Sequence, residues 1–251
     1  MGDMGMTQNQ ASYSLVGRKI FFGLPAYDHK VSLKMALSLM AFAGVAKEHG
    51  IDISVGSLCG CSVVSRARNL IVQDFLETDC TDLMFIDSDI NFQSEDVLRL
   101  MSWATVSGRD VVAGVPRTRD DNRVYIATLD TSDDGNVIMD NMGLVRADRV
   151  ATAFMLIRRE VLVKLKEDHP EWLCHDAKTG KHISSIFDFK NTPEGYMGED
   201  FLFCDRAREK GFGVWIDPTI KLGHMGVREY MGDFGNDVFY PMLKPALSEV
   251  A

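Results

Sequence analysis

Two aspartates one residue apart, Asp87 and Asp89, follow directly on the apolar run Leu83-Met84-Phe85-Ile86. An uninterrupted run of this kind is the pattern of a strand buried on both faces of a sheet. On an extended chain residues i and i+2 point to the same side, so Asp87-Ser88-Asp89 makes an anionic fork at the strand's C-terminal end. That edge is where open α/β sheets bind ligands. Like charges so close are unfavourable unless a cation or a donor-rich ligand lies between them. The fork therefore reads as the seat of a divalent metal that in turn holds a diphosphate. Two solvated turn acids are the duller reading, and so apolar a preceding strand argues against it.

Three further groups carry candidate chemistry. Arg66, Arg68 and Asn69 crowd the first turn of a helix opened by Ser65, where basic side chains oppose the macrodipole. They are either solvated or reach toward a nucleotide base or phosphate from the same sheet edge. Glu199 and Asp200 follow Gly198 at the start of another helix, where acids also suit the dipole. His224 has Gly223 and Gly226 on its two sides, which leaves it room to approach a metal. The cluster Arg117, Arg119, Asp120, Asp121 and Arg123 reads as a solvated loop, because its acids nearly balance its arginines. His29, His49, His169, His175 and His182 read as surface residues, and Trp103 as core.

These residues sit in a chain of 251 residues with ordinary composition, 46% hydrophobic and 25% charged. That length gives one large α/β domain or two small ones, with ample core. A net charge of -9 excludes a nucleic-acid wrapper but not a small anionic substrate held by a metal and local arginines. Cysteines at 59, 61, 80, 174 and 204 are odd in number and irregular in spacing, and read as reduced thiols of a cytoplasmic protein. No apolar run approaches membrane-spanning length, and the N-terminal stretch lacks a signal peptide's hydrophobic block.

The elements that would position the site follow in order. Lys19–Leu24 reads as a first strand closed by Pro25, and Pro25-Ala26-Tyr27-Asp28-His29-Lys30 as the loop after it. Ser32 caps a helix to about His49, with an inward stripe of Leu33, Ala36, Leu37, Met40 and Ala41, and Gly50 stops it. Ile51–Val55 is a second strand, and Gly56–Val64 a loop. Ser94 caps the helix after the fork, and Asp110–Gly114 is a fourth strand. Tyr125–Leu129 and Asn136–Met139 read as a hairpin, Ala151–Ile157 as a buried strand, and Val161–Glu167 as a helix. Residues His169 to Thr192 are expected to be irregular, a mobile loop over a site. Alternation of strand and helix implies an open, mostly parallel sheet flanked by helices.

In this order the pieces resemble the nucleotide-sugar glycosyltransferases of the GT-A (Rossmann-like) fold, family 2-like, over roughly Lys19 to Gly226. The carriers are Gly23-Leu24-Pro25-Ala26-Tyr27, Ser65-Arg66-Ala67-Arg68-Asn69, Asp87-Ser88-Asp89, Phe154-Met155-Leu156-Ile157-Arg158-Arg159, Gly198-Glu199-Asp200 and His224. The resemblance implies a single GT-A domain over residues 18–228, a flexible tail at 1–17, and a C-terminal tail at 229–251 packing on or over the cleft. It implies that Pro25, Ala26 and Tyr27 hold the nucleoside, and that Arg66 or Arg68, with Asn69 beside them, meets the base or diphosphate. Asp87 and Ser88 would lie near the ribose or a metal-bound water. Asp89 and His224, with Asp87, would hold Mn²⁺ or Mg²⁺, the nitrogen favouring Mn²⁺. Glu199 and Asp200 would lie beneath sugar and acceptor, one of them taking the acceptor's proton if the reaction inverts. A UDP-sugar is the first donor implied and GDP-mannose the second, with a saccharide or other hydroxyl acceptor. The alternatives are a phosphohydrolase with Asp87 as nucleophile and a non-catalytic nucleotide-sugar-binding protein.

Overall fold

A computed structural model describes residues 15–193 and 195–243. The expected tails therefore fall partly outside the described residues, at 1–14 and 244–251. In the first half, strands β1 (Lys19–Ala26), β2 (Asp52–Cys59), β3 (Asp82–Ile86), β4 (Ile90–Asn91) and β5 (Val111–Ala113) alternate with α1 (Leu33–Glu48), α2 (Val64–Leu76) and α3 (Ser94–Trp103). Next come β6 (Ala127–Leu129), β7 (Val145–Val150), β8 (Phe154–Arg158) and α4 (Arg159–Asp168). The last part holds β9 (Leu173–His175), β10 (His182–Ser184), β11 (Lys190–Thr192), β12 (Gly195–Met197), α5 (Glu199–Glu209), β13 (Val214–Ile216), β14 (Gly223–Met225) and β15 (Glu229–Met231).

The central sheet has eight strands in the order β2-β1-β3-β8-β5-β13-β7-β6. β2, β1 and β3 run parallel, β8 is inserted antiparallel between β3 and β5, and β13 is parallel to β5 and antiparallel to β7. The sheet is thus mixed, with most strands pointing one way. Alternation along β3 splits the core into two layers. Leu83 and Phe85 pack with Phe75, Phe187 and Phe203 on the side of α2, α4 and α5. Met84 and Ile86 pack with Met35, Phe42, Val97 and Leu100 on the side of α1 and α3. The fork strand is buried on both faces, as its apolar run requires.

Several elements differ from the sequence reading. β1 runs on through Pro25 to Ala26, and β2 continues to Cys59, because the two pair residue by residue along their full length. α1 is capped by Ser32, whose Oγ accepts from Met35 N at 3.1 Å, but it buries Met35, Phe42 and Ala46. The expected stripe faces outward instead, with Leu33 74% and Met40 71% exposed. Ser94 is the first residue of α3 rather than its cap. Of the expected hairpin, Ala127–Leu129 pair with β7 while Tyr125 bridges Arg117, and residues 136–139 make only single bridges, Val137 to Thr131 and Met139 to Val145. Ala151-Thr152-Ala153 precedes β8 as a turn.

Residues 169–192 are not irregular. They form the hairpin β9–β10 and one strand of the hairpin β11–β12. Between them Ile186 and Phe187 enter the core, Phe187 stacking on Phe203 at 4.6 Å between centroids. Among the described residues no helix is long and apolar enough to cross a membrane.

Candidate active site

The fork lies where β3 ends. Asp87 N donates to Ala153 O at 3.0 Å, and Ile90 N closes a turn on Asp87 O at 3.1 Å. That turn starts β4, which pairs antiparallel with β14 so that Ile90 faces His224. Met225 N donates to Asp89 O at 2.8 Å and extends the ladder. A residue 135 positions downstream of the fork is thereby set beside it (224 − 89). His224 Nε2 lies 3.4 Å from Asp89 Oδ2, and Nδ1 lies 2.8 Å from the Arg117 carbonyl. A carbonyl only accepts, so Nδ1 carries a proton there and Nε2 is turned to the carboxylate.

The spacing of this pair fits two neighbouring ligands of one cation. Two donors on adjacent corners of an octahedron, at about 2.1 Å from a hard cation, lie about 3 Å apart. The 3.4 Å between Nε2 and Oδ2 is close to that spacing. The hydrogen bond to Arg117 O orients the imidazole as an outer partner orients a metal-bound histidine. Among the described residues no group of three or more His, Cys, Asp or Glu converges on one point. Asp89 and His224 would hold a cation, leaving its other positions to ligand oxygens and water. Burial works against the Asp89 charge, but hydrogen bonding to His224 holds that carboxyl below its ordinary range. Burial lowers His224 in turn, and the Asp89 bond more than restores it.

Arg68 links the fork to the acids of α5. It is 5% exposed, and its Nε donates to Glu199 Oε1 at 3.1 Å. Nη2 lies 3.6 Å from Asp87 Oδ1, and Nη1 is buried without a hydrogen-bond partner. Burial pushes the Asp87 carboxyl up against the pull of Arg68, with Asp89 adding repulsion. Asp200 is also raised, first by burial and then by its neighbour Glu199. Both acids open α5 behind Gly198, and Phe201 N donates to Asp200 Oδ1 at 2.8 Å.

An open cleft of about 690 Å³ runs over this edge. Pro25, Ala26 and Tyr27 form one wall, and Arg68, Asp87, Ser88, Asp89 and Arg119 lie along it. Tyr27 is 66% exposed, its ring free to stack. Ser32 N donates to Ser88 O at 2.8 Å, tying the cap of α1 to the fork. Two expected residues are engaged elsewhere. Arg66 forks onto Asp176 through Nε at 2.5 Å and Nη2 at 2.8 Å, fastening the β9–β10 hairpin to α2. Asn69 spends its amide on the Phe187 backbone, donating at 2.8 Å and accepting at 2.9 Å, so it shapes the core rather than the cleft wall. Arg119, read as a solvated loop residue, instead donates to Asp89 Oδ2 at 2.8 Å.

The eight-stranded mixed sheet, with its crevice at the ends of β1 and β3, is the GT-A fold. A solved structure of GalNAc-T7 with UDP, GalNAc and Mn²⁺ matches 92% of this chain and 48% of its own, at a TM-score of 0.51 and 9% identity. The chain therefore spans about half the length of that protein. S. aureus TarS matches 90% of this chain and 63% of its own, with a TM-score of 0.46 and 13% identity. A Drosophila β1,4-galactosyltransferase 7, in complex with manganese, UDP-Gal and xylobiose, matches 86% of this chain and 70% of its own. Its TM-score is 0.45 and its identity 14%. The sequence itself matches no protein-family model and has no match among curated proteins.

Proposed function

We propose that this chain is a metal-dependent glycosyltransferase that moves a hexose from a nucleoside-diphosphate sugar to a hydroxyl of a saccharide or other acceptor. The observation that carries the reading is the β4–β14 pairing, which brings His224 Nε2 to 3.4 Å from Asp89 at the mouth of the cleft. The fold is consistent with it, and the GalNAc-T7 structure of the same fold holds UDP and Mn²⁺.

Asp89 and His224, with Asp87 beside them toward the ribose, would hold Mn²⁺ or Mg²⁺. The cation, when bound, acts as a Lewis acid for the charge that develops on the departing diphosphate. Pro25, Ala26 and Tyr27 flank the nucleoside, Tyr27 by stacking, and Ser88 lies along the same wall. Arg68, which lines the cleft with Nη2 3.6 Å from Asp87 Oδ1, offers a charged donor to the ligand. Glu199 keeps Arg68 in place. Asp200 takes the acceptor's proton, since burial and the Glu199 charge raise its affinity for one.

A thermal-shift panel of UDP, GDP and CDP, each with and without Mn²⁺, tests the reading. Ligand binding to the folded state raises Tm by mass action. A rise of several degrees that needs both Mn²⁺ and one nucleotide is expected, with UDP first and GDP second. No response to any nucleotide would remove the transferase reading.

A further inference from the structure

Asp89 Oδ2 has two neighbours of cationic character, Arg119 Nη1 at 2.8 Å and His224 Nε2 at 3.4 Å. It is the oxygen that the proposed metal site would use. Arg119 belongs to the loop after β5, and that loop is pinned from outside. Asp121 pairs with Arg228, Arg123 Nη1 lies 2.7 Å from Asp237, and the Arg117 carbonyl accepts from His224 Nδ1 at 2.8 Å. One loop thus touches both candidate ligands, Asp89 through a side chain and His224 through the backbone.

The Arg119 stem lies over Gly226, where a Cβ would stand 3.2 Å from its Cδ. The Arg119 side chain is 53% exposed and lines the cleft beside Asp87, Ser88 and Asp89. It can leave Asp89 without becoming a buried, unpaired charge. A guanidinium and a divalent cation repel strongly at the range of one shared carboxylate oxygen, so the two exclude each other there. A planar guanidinium also matches the paired oxygens of a diphosphate.

We propose that Arg119 is the cleft's resident counter-cation. It neutralises Asp89 while no metal is bound, competes with a divalent cation for Oδ2, and passes to the ligand's diphosphate oxygens once the cation has replaced it. The inference rests on the proposed metal site and adds a coupling to it. Metal and diphosphate bind with positive cooperativity, because the ligand engages the arginine that the metal releases.

Mn²⁺ uptake, read as the excess manganese on the protein side of an equilibrium dialysis so that soluble Mn²⁺–pyrophosphate cancels, tests this with Mn²⁺ alone and again with inorganic pyrophosphate as the diphosphate probe. Arg119→Ala should tighten Mn²⁺ alone by about 3- to 10-fold, and should cut the tightening conferred by pyrophosphate by about 10-fold. Arg119→Lys should hold the Mn²⁺ affinity near that of the wild type. An Arg119→Ala protein that binds Mn²⁺ no more tightly than wild type overturns the counter-cation role and leaves the metal site standing. An undiminished pyrophosphate effect overturns the transfer to diphosphate. Asp89→Asn should take up no Mn²⁺ at this site. Absence of uptake by wild type and Arg119→Ala alike would remove the metal site, and this inference with it.

Discussion

Arg68 and Glu199 meet inside the protein, Nε donating to Oε1 at 3.1 Å across 131 positions of sequence. The first joins α2 to the fork and the second opens α5, so the pair locks two helices at the cleft floor. Removing one member of a buried ion pair strands the other charge and costs about 3–5 kcal/mol. Arg68→Ala should lose about that much in urea unfolding. The double variant Arg68→Ala/Glu199→Gln should recover part of it, since it removes the stranded carboxylate. A single variant as stable as the wild type would show that the pair is not closed in solution.

Gly223 stands beside His224 for a steric reason. A Cβ there would fall 2.4 Å from Asn91 Oδ1 and 2.6 Å from Glu229 Oε1, two groups joined by a hydrogen bond of 2.9 Å. Gly223→Ala should push β14 off β4 and carry His224 away from Asp89, at a cost of about 1–3 kcal/mol. The readout is Mn²⁺ uptake, which should weaken in Gly223→Ala and in His224→Gln alike. Full uptake by Gly223→Ala would mean that the metal does not depend on this strand pairing.

The fork was legible because its signal is local. An apolar run followed by two acids specifies a buried strand and the place where it ends, and Ser32 announces its cap in the same way. The direction of β8 was not legible, because a strand buried on both faces reads alike whether it runs parallel or antiparallel to β3. The place of Arg119 was hidden by its neighbours. Balanced acids suggested a self-neutralised loop, yet Asp121 pairs with Arg228 and Arg123 with Asp237, so the C-terminal segment supplies the partners and leaves Arg119 to Asp89. The hairpins at 173–197 were obscured by polar residues around the few that anchor them, Ile183, Ile186 and Phe187.

Helix α1 shows how periodicity fails when apolar residues surround the axis. Leu33, Leu37 and Met40 keep helical spacing and still face out, while Phe42 is fully buried against Phe22 at 5.4 Å between centroids. The two faces should respond very differently. Phe42→Ala should cost about 3–5 kcal/mol through the cavity it leaves. Leu37→Gln and Met40→Gln should each stay within about 0.5 kcal/mol of wild type in the same unfolding assay. A large loss from the outer pair would mean that this face is covered in solution.

Asp96 gives α3 a pH dependence whose sign can be fixed. Burial raises its carboxyl from 3.8 to about 6, the Gln93 N–H bond opposing and Asp217 repulsion adding to the rise. Between those two values the folded chain holds a proton that the unfolded chain has released, so this contribution to stability falls as pH rises through the window. The full effect is about 3 kcal/mol, at 1.36 kcal/mol per unit. Asp96→Asn retains an oxygen for Gln93 N, which now donates to the carboxylate at 2.8 Å, and has no charge to desolvate. It should match wild type near pH 4 and exceed it by about 1–3 kcal/mol near pH 7.5. Urea unfolding of both proteins at the two pH values reads the difference directly. A variant weaker than wild type by the same amount at both would show that the carboxylate serves α3 as a hydrogen-bond acceptor at no cost from its charge.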